Sequence, residues 1–284
     1  DTIFTNAYKL EPGEKLVLER GAISKQKYWK LHYRVDPSWT LSDAAEQYRD
    51  LLLDAVRLQR VSDVPIGALL SGGVDSSSIV ACLSQLTSAP IRTFTVGFGN
   101  PRYDELRYAR IVAKRFGTEH IETSLEPKFA EIIPELPRYF GEPFADSSAL
   151  PTWLVSQVAR SQVTVALAGD GGDELFAGYT WTHTTQRAER YRPLPLWMRR
   201  TVDALLQLAP RHPEVARIRR FSKDLFQSTL HVFRRKHTCF GAEMRARLFK
   251  PDTTKAVLTS SVDYFQRHWD AFPELTPQDK MLYH

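Results

Sequence analysis

The hydrophobic and polar positions change from an alternating to a helical pattern along the start of the chain. Apolar and polar residues alternate over about residues 1–36, around turns at Gly13 and Gly21, which predicts a β-hairpin. Residues 42–59 carry apolar side chains at helical spacing, with Ser42 at the expected N-cap position. The chain therefore opens with a hairpin followed by an amphipathic helix.

Short apolar runs then alternate with helical segments as far as residue 167. Strands are predicted at residues 66–70, 91–97, 118–123 and 163–167. Helices are predicted at residues 75–87, 104–117, 127–137 and 148–161. This order predicts an α/β fold, a parallel sheet with helices on both faces. Residues 180–284 contain helical stretches and no clear strand, so a mostly helical C-terminal region is expected.

Composition limits the setting in which the protein works. Of the 284 residues, 43% are hydrophobic, which is enough to bury a large core. The longest apolar runs are too short to cross a bilayer, so no membrane partner is expected. The two cysteines, Cys82 and Cys239, lack the spacing of a metal site, and a reduced, cytoplasmic location is predicted.

Charge is distributed unevenly. Residues 1–180 hold 19 basic against 23 acidic residues, a balance of −4, whereas residues 181–284 hold 19 against 10, a balance of +9. A basic half can indicate nucleic-acid binding, which a steep salt dependence of tRNA binding would support. The arginines, however, alternate with Leu, Trp, Phe and Ala at helical spacing. Solvated helix faces are therefore the favoured interpretation, and nucleic acid is not expected as a partner.

A first glycine motif follows the predicted strand at residues 66–70. Residues 71–76 spell Ser-Gly-Gly-Val-Asp-Ser and lead into a helix. Paired glycines let the backbone approach an anion, successive N–H groups form a nest, and the helix adds its positive end. Asp75 can hold Mg²⁺ against bound phosphates. The alternative is an ordinary strand-to-helix turn capped by Asp75 or Ser76.

A second glycine motif follows the predicted strand at residues 163–167. Residues 169–174 contain three glycines, two aspartates and one glutamate. Carboxylates packed this closely need a shared cation or proton, and Mg²⁺ shared with Asp75 is the simplest prediction. The alternative is an acidic turn that only ends the strand. Residues 175–177 are apolar, and we expect them to continue inward.

These motifs resemble those of known enzymes. Residues 71–76 resemble the PP-loop of the N-type ATP pyrophosphatases, and no Walker A string occurs. Residues 168–179 are similar to a segment of the glutamine-dependent asparagine synthetases. Three further stretches fit the same family: residues 10–16, 94–98 and 141–151. The resemblance implies a fold of the adenine nucleotide α-hydrolase type.

The resemblance also implies a reaction. ATP would activate the β-carboxylate of aspartate with release of pyrophosphate, and ammonia would then attack to give asparagine and AMP. The implied ATP-binding residues are Leu70, Ser71, Gly72, Gly73, Asp75, Ser76, Val96, Ala168 and Gly169. Asp75 and Asp173 would hold Mg²⁺, and Asp170 would assist the ammonia step.

Two further acids are candidates from their position alone. Glu142 and Asp146 flank a Pro-Phe turn, where they are candidates for binding the amino-acid substrate. As ordinary loop acids they are equally compatible with a structural role.

The resemblance predicts the domain organisation and the partners. Residues 1–36 resemble the end of a glutaminase domain, and residues 37–284 resemble a synthetase domain that is shorter at its C-terminus than in the family. The expected partners are aspartate and ammonia, a glutaminase domain absent from this chain, and a second copy in a homodimer. We expect the chain alone not to hydrolyse glutamine.

Three alternatives stay open at this point. One is another adenylating enzyme, of the β-lactam synthetase type or one that amidates peptides or sugars. Another is a tRNA-modifying PP-loop enzyme. The third is a domain that binds ATP without turning it over.

Overall fold

A computed structural model describes most of the chain. The residues it describes are 2–32, 34, 36–99, 104–124, 131–144, 146–209, 212–238, 242–250 and 265–283. The chain forms two compact units, Asp1–Asp170 and Gly171–His284. Among the described residues, no helix combines the length and the apolar character that crossing a bilayer requires.

The predicted N-terminal hairpin is confirmed. Strands β1 (Glu14–Glu19) and β2 (Ala22–Lys27) are antiparallel, with Glu19 opposite Ala22. Arg20 and Gly21 both have positive φ, at 50° and 80°, as the two central residues of a type I′ turn require. Glycine adopts this conformation without steric cost, which explains its position in the turn.

Helix α1 (Leu41–Gln59) begins one residue before the predicted start, and its predicted N-cap is wrong. Thr40 is the N-cap: its side chain accepts a hydrogen bond from the Asp43 N–H, and Asp43 bonds back to the Thr40 N–H. This reciprocal capping box satisfies two backbone donors, whereas Ser42 already lies inside the helix.

The predicted parallel sheet is confirmed. Its strands are β3 (Ile66–Leu69), β4 (Arg92–Gly97), β5 (Glu119–Ser124) and β6 (Val165–Leu167). They lie in the order β5-β4-β3-β6, and every neighbouring pair is parallel. The connecting segments contain helices α2 (Val74–Leu86), α3 (Leu106–Phe116), α4 (Leu136–Phe140) and α5 (Ala149–Arg160).

The helix predicted at residues 127–137 is wrong over its described part. Residues 125–130 lie outside the described residues, and the chain then forms a 3₁₀ turn at Ile133–Glu135 before α4 begins. Pro134 and Pro137 each lie in the first turn of a short segment. Proline fits there but lacks the N–H that a helix interior needs, so it divides the predicted helix into two.

The core has one layer on each face of the sheet. On one face, Ala68 and Leu70 pack with residues of α1, α2 and α3, including Val56 and Val80. On the other face, Phe94 packs with residues that include Ala159 of α5. Since successive side chains of a strand point to opposite faces, the apolar strands build both layers. The predicted placement of helices on both faces is confirmed.

The second unit is helical, as predicted. Its described helices are α6 (Gly172–Phe176), α7 (Thr180–Tyr191), α8 (Leu196–Leu208), α9 (Pro213–Asp224), α10 (Thr229–Lys236), α11 (Ala242–Leu248) and a helix over Pro277–Tyr283. Residues 265–270 are also helical. Trp181, Phe233 and His237 form an aromatic cluster within this unit, with ring centroids 4.3 to 5.3 Å apart.

Several arginines of the basic half bind backbone carbonyls within the second unit. Arg199 donates to the Leu225 carbonyl at 2.6 Å, and Arg219 donates to the Leu206 carbonyl at 2.6 Å. These carbonyls lie at or near the C-terminal ends of helices, where intrahelical partners are missing. The prediction of solvated helix faces fits exposed residues such as Arg200. Arg199 and Arg219 instead bind carbonyl groups at or near helix ends.

Candidate functional site

The two glycine motifs follow neighbouring strands. Strands β3 and β6 are adjacent and parallel, with Ala68 opposite Leu167, so both motifs leave the same edge of the sheet. From β3 the chain builds outward through β4 and β5, then returns to the other side of β3 as β6. Ligands of open α/β sheets bind at such a reversal, outside the carboxyl ends of the strands.

Two serine hydroxyls close the loop of the first motif. The Ser71 N–H donates to Ser76 Oγ at 3.2 Å, and the two hydroxyl oxygens lie 2.9 Å apart. The Gly73 N–H donates to Ser71 Oγ at 3.2 Å. Because Ser76 is buried at 8% exposure, these contacts hold the loop in one conformation against the start of α2.

Helix α2 begins without a side-chain cap. Its N-cap residue is Gly73, and no side chain accepts a cap hydrogen bond there. The alternative in which Asp75 or Ser76 caps the helix is therefore wrong, since the Ser76 hydroxyl serves the loop instead. An uncapped first turn presents backbone N–H groups and the positive end of the helix dipole, which suits a phosphate group.

The two glycines of the first motif serve different purposes. Gly72 has φ +83°, and a Cβ there would come within 2.6 Å of backbone atoms of Tyr108 and Ala109. The protein itself therefore requires glycine at this position. Gly73 has an ordinary φ of −68°, and a Cβ there would meet only Ser71 Oγ, at 3.3 Å. The space beside Gly73 thus allows close approach of a ligand.

Leu70, directly after β3, and Val96, within β4, are the predicted neighbours of the adenosine, and hydrogen bonds fix the backbone there. Leu70 and Val96 are buried, at 1% and 8% exposure. The Leu70 N–H donates to the Phe94 carbonyl at 2.9 Å, and the buried Thr95 hydroxyl donates to the Leu70 carbonyl. The strand end that carries the first motif is therefore fixed on its β4 side.

Gly169 brings the second motif against the first. A Cβ at Gly169 would come within 2.6 Å of the Ser76 nitrogen and 2.8 Å of the Asp75 carbonyl carbon. The half-buried Ala168 connects β6 to this glycine. Asp170, the predicted catalytic acid, follows with an exposed side chain. Asp170 therefore directly follows the residue, Gly169, that contacts the start of α2 within the first unit.

Sequence reasoning missed Tyr48 as a neighbour of the site. The sequence pattern predicts its position only as part of the amphipathic helix over residues 42–59. Burial raises the pKa of its hydroxyl, and the negative charge of Asp75 raises this pKa further. Asp75 itself is half-buried. A tyrosine at one apolar helix position gives no sequence signal for this proximity.

Asp173 lies in the second unit, in the first turn of α6. The N-cap Gly171 has φ +94°, a conformation that favours glycine. The Gly178 N–H donates to the Asp173 carbonyl at 3.0 Å, and a Cβ at Gly178 would overlap Asp173 Oδ1. The Tyr179 hydroxyl donates to the Glu174 carboxylate at 2.5 Å. Gly178 and Tyr179 therefore hold two acids of the second motif, a role not predicted from sequence.

The expectation that residues 175–177 continue inward is wrong. Leu175 is 71% exposed and Phe176 is 56% exposed. Helix α6 has only five residues and ends at Ala177, whose φ of 57° is left-handed. Since this conformation stops the helix after about one turn, the apolar side chains stay at the surface of the second unit.

The carboxylates are compatible with Mg²⁺ bound together with a phosphate ligand. No group of three His, Cys, Asp or Glu side chains with metal-binding geometry occurs in the part of the chain that the structure describes. Mg²⁺ usually binds through one or two carboxylates together with substrate phosphates and water. Asp75 in the first unit and Asp173 in the second are each a carboxylate of this type, and neither is fully exposed.

The two candidate substrate-binding acids have partners within the first unit. Glu142 Oε2 accepts from the Ile3 N–H at 3.2 Å and Oε1 from the Lys9 ammonium. These contacts lower the pKa of Glu142, with the Lys9 hydrogen bond the largest cause. Asp146 Oδ1 accepts from the Ser148 N–H at 2.8 Å just before α5, which lowers the pKa of Asp146.

A cavity of about 560 Å³ lies elsewhere in the first unit, between α5 and the edge strand β6. Its lining includes Trp153, Arg160 and Val165, and no lining residue belongs to either glycine motif. The loop geometry therefore indicates the nucleotide site, and this cavity does not.

Comparison with known proteins identifies relatives with the same sequence pattern. The sequence profile described as asparagine synthase matches residues 47–283. A putative asparagine synthetase [glutamine-hydrolyzing] 2 from Methanocaldococcus jannaschii is 39% identical over 203 residues, 70% of this chain and 39% of the relative. Asparagine synthetase [glutamine-hydrolyzing] 1 from Bacillus subtilis is 34% identical over 218 residues, 75% of this chain and 33% of the relative.

A third relative matches nearly the whole chain. A putative asparagine synthetase [glutamine-hydrolyzing] from Mycobacterium tuberculosis is 29% identical over 281 residues, 95% of this chain and 42% of the relative. The chain thus spans between 33% and 42% of the length of these three relatives.

Proposed function

The chain belongs to the asparagine synthase family, and from this premise we propose that it carries out ATP-dependent amide synthesis. The β-carboxylate of aspartate attacks the α-phosphorus of ATP, and pyrophosphate leaves. Ammonia then attacks the β-aspartyl-AMP, so that asparagine and AMP are formed. The observation that carries this proposal is the uncapped start of α2 in contact with Gly169.

The first motif binds the phosphates of ATP. No side chain caps the start of α2, so its backbone N–H groups are available to bind a phosphate. The absence of a side chain at Gly73 lets the phosphate approach the backbone closely. The Ser71 and Ser76 hydroxyls keep the loop in this conformation. Gly72 belongs to the same loop, although its own requirement for glycine comes from packing on α3.

The adenosine is bound beside the strand ends. The Leu70 and Val96 side chains are buried, so these positions, like Ala168 and Gly169, offer a nucleotide mainly backbone atoms to approach. A base recognised mainly through shape and backbone groups suits this set of short side chains. The buried Thr95 hydroxyl, which holds the Leu70 carbonyl, keeps this backbone in place.

Asp75 and Asp173 are the residues that would hold Mg²⁺. When bound, the ion offsets the negative charge that builds up on the leaving pyrophosphate. Gly178 sets the position of the Asp173 carboxylate within the second unit. The half-buried Asp75 lies in the first turn of α2, beside the proposed phosphate site.

Asp170 takes the proton that ammonia loses when it attacks the acyl-adenylate. An exposed carboxylate at the end of the first unit is free to meet an incoming nucleophile. Asp146 and the turn at residues 141–144, which lead into α5, are the proposed acceptor side of the site.

A glutaminase domain is the proposed source of ammonia, and it would pack on the N-terminal hairpin. Leu16, Val17, Leu18 and Ile23 are between 43% and 66% exposed, so both faces of the hairpin carry apolar surface. An isolated two-stranded hairpin is marginally stable in water and gains stability from a covering surface. The boundary at residue 36, a homodimer and a cytoplasmic location stay predictions.

Product analysis tests the proposed function. The chain is incubated with Mg·ATP, aspartate and ammonium, and pyrophosphate, AMP and asparagine are measured. We expect the three products in equal amounts and only when aspartate is present. The Ser76→Ala variant should lose most of the activity, whereas the matched Ser78→Ala variant, whose hydroxyl bonds only the Val74 carbonyl, should keep it. ADP and orthophosphate as products would contradict the proposal.

A further inference from the structure

Glu142 is bound by the N-terminal segment of the chain. Its side chain is 14% exposed, and each carboxylate oxygen accepts a hydrogen bond, one from the Lys9 ammonium and one from the Ile3 N–H. These donors are more than 130 residues away in sequence. These two bonds use about half of the roughly four acceptor positions of the carboxylate and direct both of its oxygens toward the N-terminal segment.

The N-terminal segment folds so that both donors face Glu142. The Thr2 hydroxyl donates to the Ala7 carbonyl at 2.7 Å, and the Phe4 N–H donates to Thr2 Oγ1 at 3.1 Å. Asn6 has a left-handed φ of 60°, which closes the turn. Lys9 then lies five residues before β1, so the same segment leads directly into the hairpin.

The turn that carries Glu142 is also well defined. The rings of Phe140 and Phe144 stack with centroids 4.7 Å apart, on either side of Glu142 in sequence. Gly141 ends α4 in a left-handed conformation with φ 79°. A stacked aromatic pair across a glycine turn keeps the backbone of residues 141–144 in one arrangement.

We propose that Glu142 is a positioning residue that fastens the N-terminal segment to the acceptor turn, residues 141–144. This inference rests on the proposed function, because it assigns the acceptor turn to the aspartate side of the site. Glu142 keeps the turn, and the hairpin that follows Lys9, in a fixed relation within the first unit. It acts on aspartate binding through the turn, and not by contact with the substrate.

Charge reversal distinguishes this role from direct substrate binding. In Glu142→Lys, two ammonium groups face each other, and the KM for aspartate should rise about three- to ten-fold with little change in the KM for ATP. Loss of an ion pair that is exposed on its Lys9 side accounts for a factor of up to about five, and repulsion adds to it. In the Lys9→Glu/Glu142→Lys double variant the ion pair returns, and the KM for aspartate should return to within about threefold of wild type.

Hydrogen exchange supplies a measurement that is independent of activity. Amides of residues 2–10 should exchange at least about fivefold faster in Glu142→Lys. The Ile3 amide should continue to exchange rapidly in the double variant, because the lysine at position 142 cannot accept its hydrogen bond. Lys27→Glu is the matched control, since it breaks the exposed Lys27–Glu11 pair on the hairpin and should change neither reading.

Two results would overturn the proposal. If the KM for aspartate rises in Glu142→Lys and is not restored in the double variant, Glu142 contacts the substrate directly. If hydrogen exchange of residues 2–10 is unchanged in Glu142→Lys, the contact with Glu142 does not hold the N-terminal segment in place. Failure of the proposed function is distinguishable, because wild type would then give no aspartate-dependent pyrophosphate while the exchange pattern would persist.

Discussion

Gly169 lies so close to Ser76 that a methyl group on Gly169 would come within 2.6 Å of the Ser76 backbone nitrogen. The two residues are 93 positions apart, in separate glycine motifs. Their contact exists because β3 and β6 are neighbours in the sheet and end at the same edge. The acidic residue that follows Gly169 therefore begins beside the proposed phosphate site.

Replacing Gly169 with alanine should separate the two motifs. The added methyl meets backbone atoms of Asp75 and Ser76, which cannot move without disturbing α2. We expect Gly169→Ala to cost about 1–3 kcal/mol of unfolding free energy and to remove most aspartate-dependent pyrophosphate release. Gly117→Asn is the control, because a Cβ at this left-handed helix end meets nothing within 4 Å. Equal activity in both variants would contradict the assigned contact.

Gly178→Ala should displace the carboxylate of Asp173. The methyl overlaps Asp173 Oδ1, and we expect a loss of about 1–3 kcal/mol in urea unfolding, together with a higher Mg²⁺ requirement for pyrophosphate release. In an Asp173→Ala background the same substitution should cost less than half as much, since the overlapping oxygen is gone. If the cost is the same in both backgrounds, Gly178 does not position Asp173.

Arg219 should stabilise the second unit, whereas Arg200 should not. Arg219 donates to the carbonyls of Leu206 and Ala209 at the end of α8, while Arg200 is exposed. Because charged donors bind these carbonyls strongly, we expect Arg219→Ala to lower the unfolding free energy by about 1.5–3 kcal/mol. Arg200→Ala should change it by less than about 0.5 kcal/mol. Urea unfolding of the two variants under matched conditions measures the difference, and equal costs would contradict this assignment.

His120 should make the protein less stable as the pH falls. Burial lowers the pKa of His120; nearby Glu122 raises it and Arg110 lowers it. His120 Nδ1 lies 2.8 Å from the Thr93 hydroxyl, and Nε2 is buried without a hydrogen bond. With a folded pKa below about 6.5, the unfolded chain takes up the proton first as the pH falls. The stability that neutral His120 supports is complete above about pH 6.5 and declines below it, by at most about 1.4 kcal/mol per pH unit.

Urea unfolding at pH 7.5 and pH 5.5 tests this expectation. His120→Gln should show a smaller loss of stability between the two values than wild type. His183→Gln, at an exposed position, should behave like wild type. A loss in His120→Gln as large as that in wild type would assign the pH dependence to other groups.

The elements around the glycine motifs could be predicted from sequence for local reasons. Short apolar strands followed by Gly-rich, acidic strings occur at β3 and β6, and both strands were predicted within two residues of their observed bounds. The start of α1 was placed at Ser42 because serine is a good N-cap. Thr40 is the N-cap instead, because Asp43 completes a capping box with it.

Contacts between residues far apart in the chain could not be predicted from sequence. The Arg219 contact with the Leu206 carbonyl spans 13 residues, and the Lys9 contact with Glu142 spans 133. No local pattern encodes such pairs, because the fold brings them together. For the same reason, Glu142 was predicted as a candidate substrate ligand although the N-terminal segment binds it.

Transfer of oxygen isotope from aspartate to AMP tests the central claim most directly. The full chain is supplied with Mg·ATP, ammonium and aspartate labelled with ¹⁸O in its β-carboxylate, and the products are analysed by mass spectrometry. Attack of the β-carboxylate on the α-phosphorus predicts one ¹⁸O atom in each AMP and none in pyrophosphate. Label in orthophosphate, with ADP as the nucleotide product, would mean that the γ-phosphorus is attacked and would contradict the account.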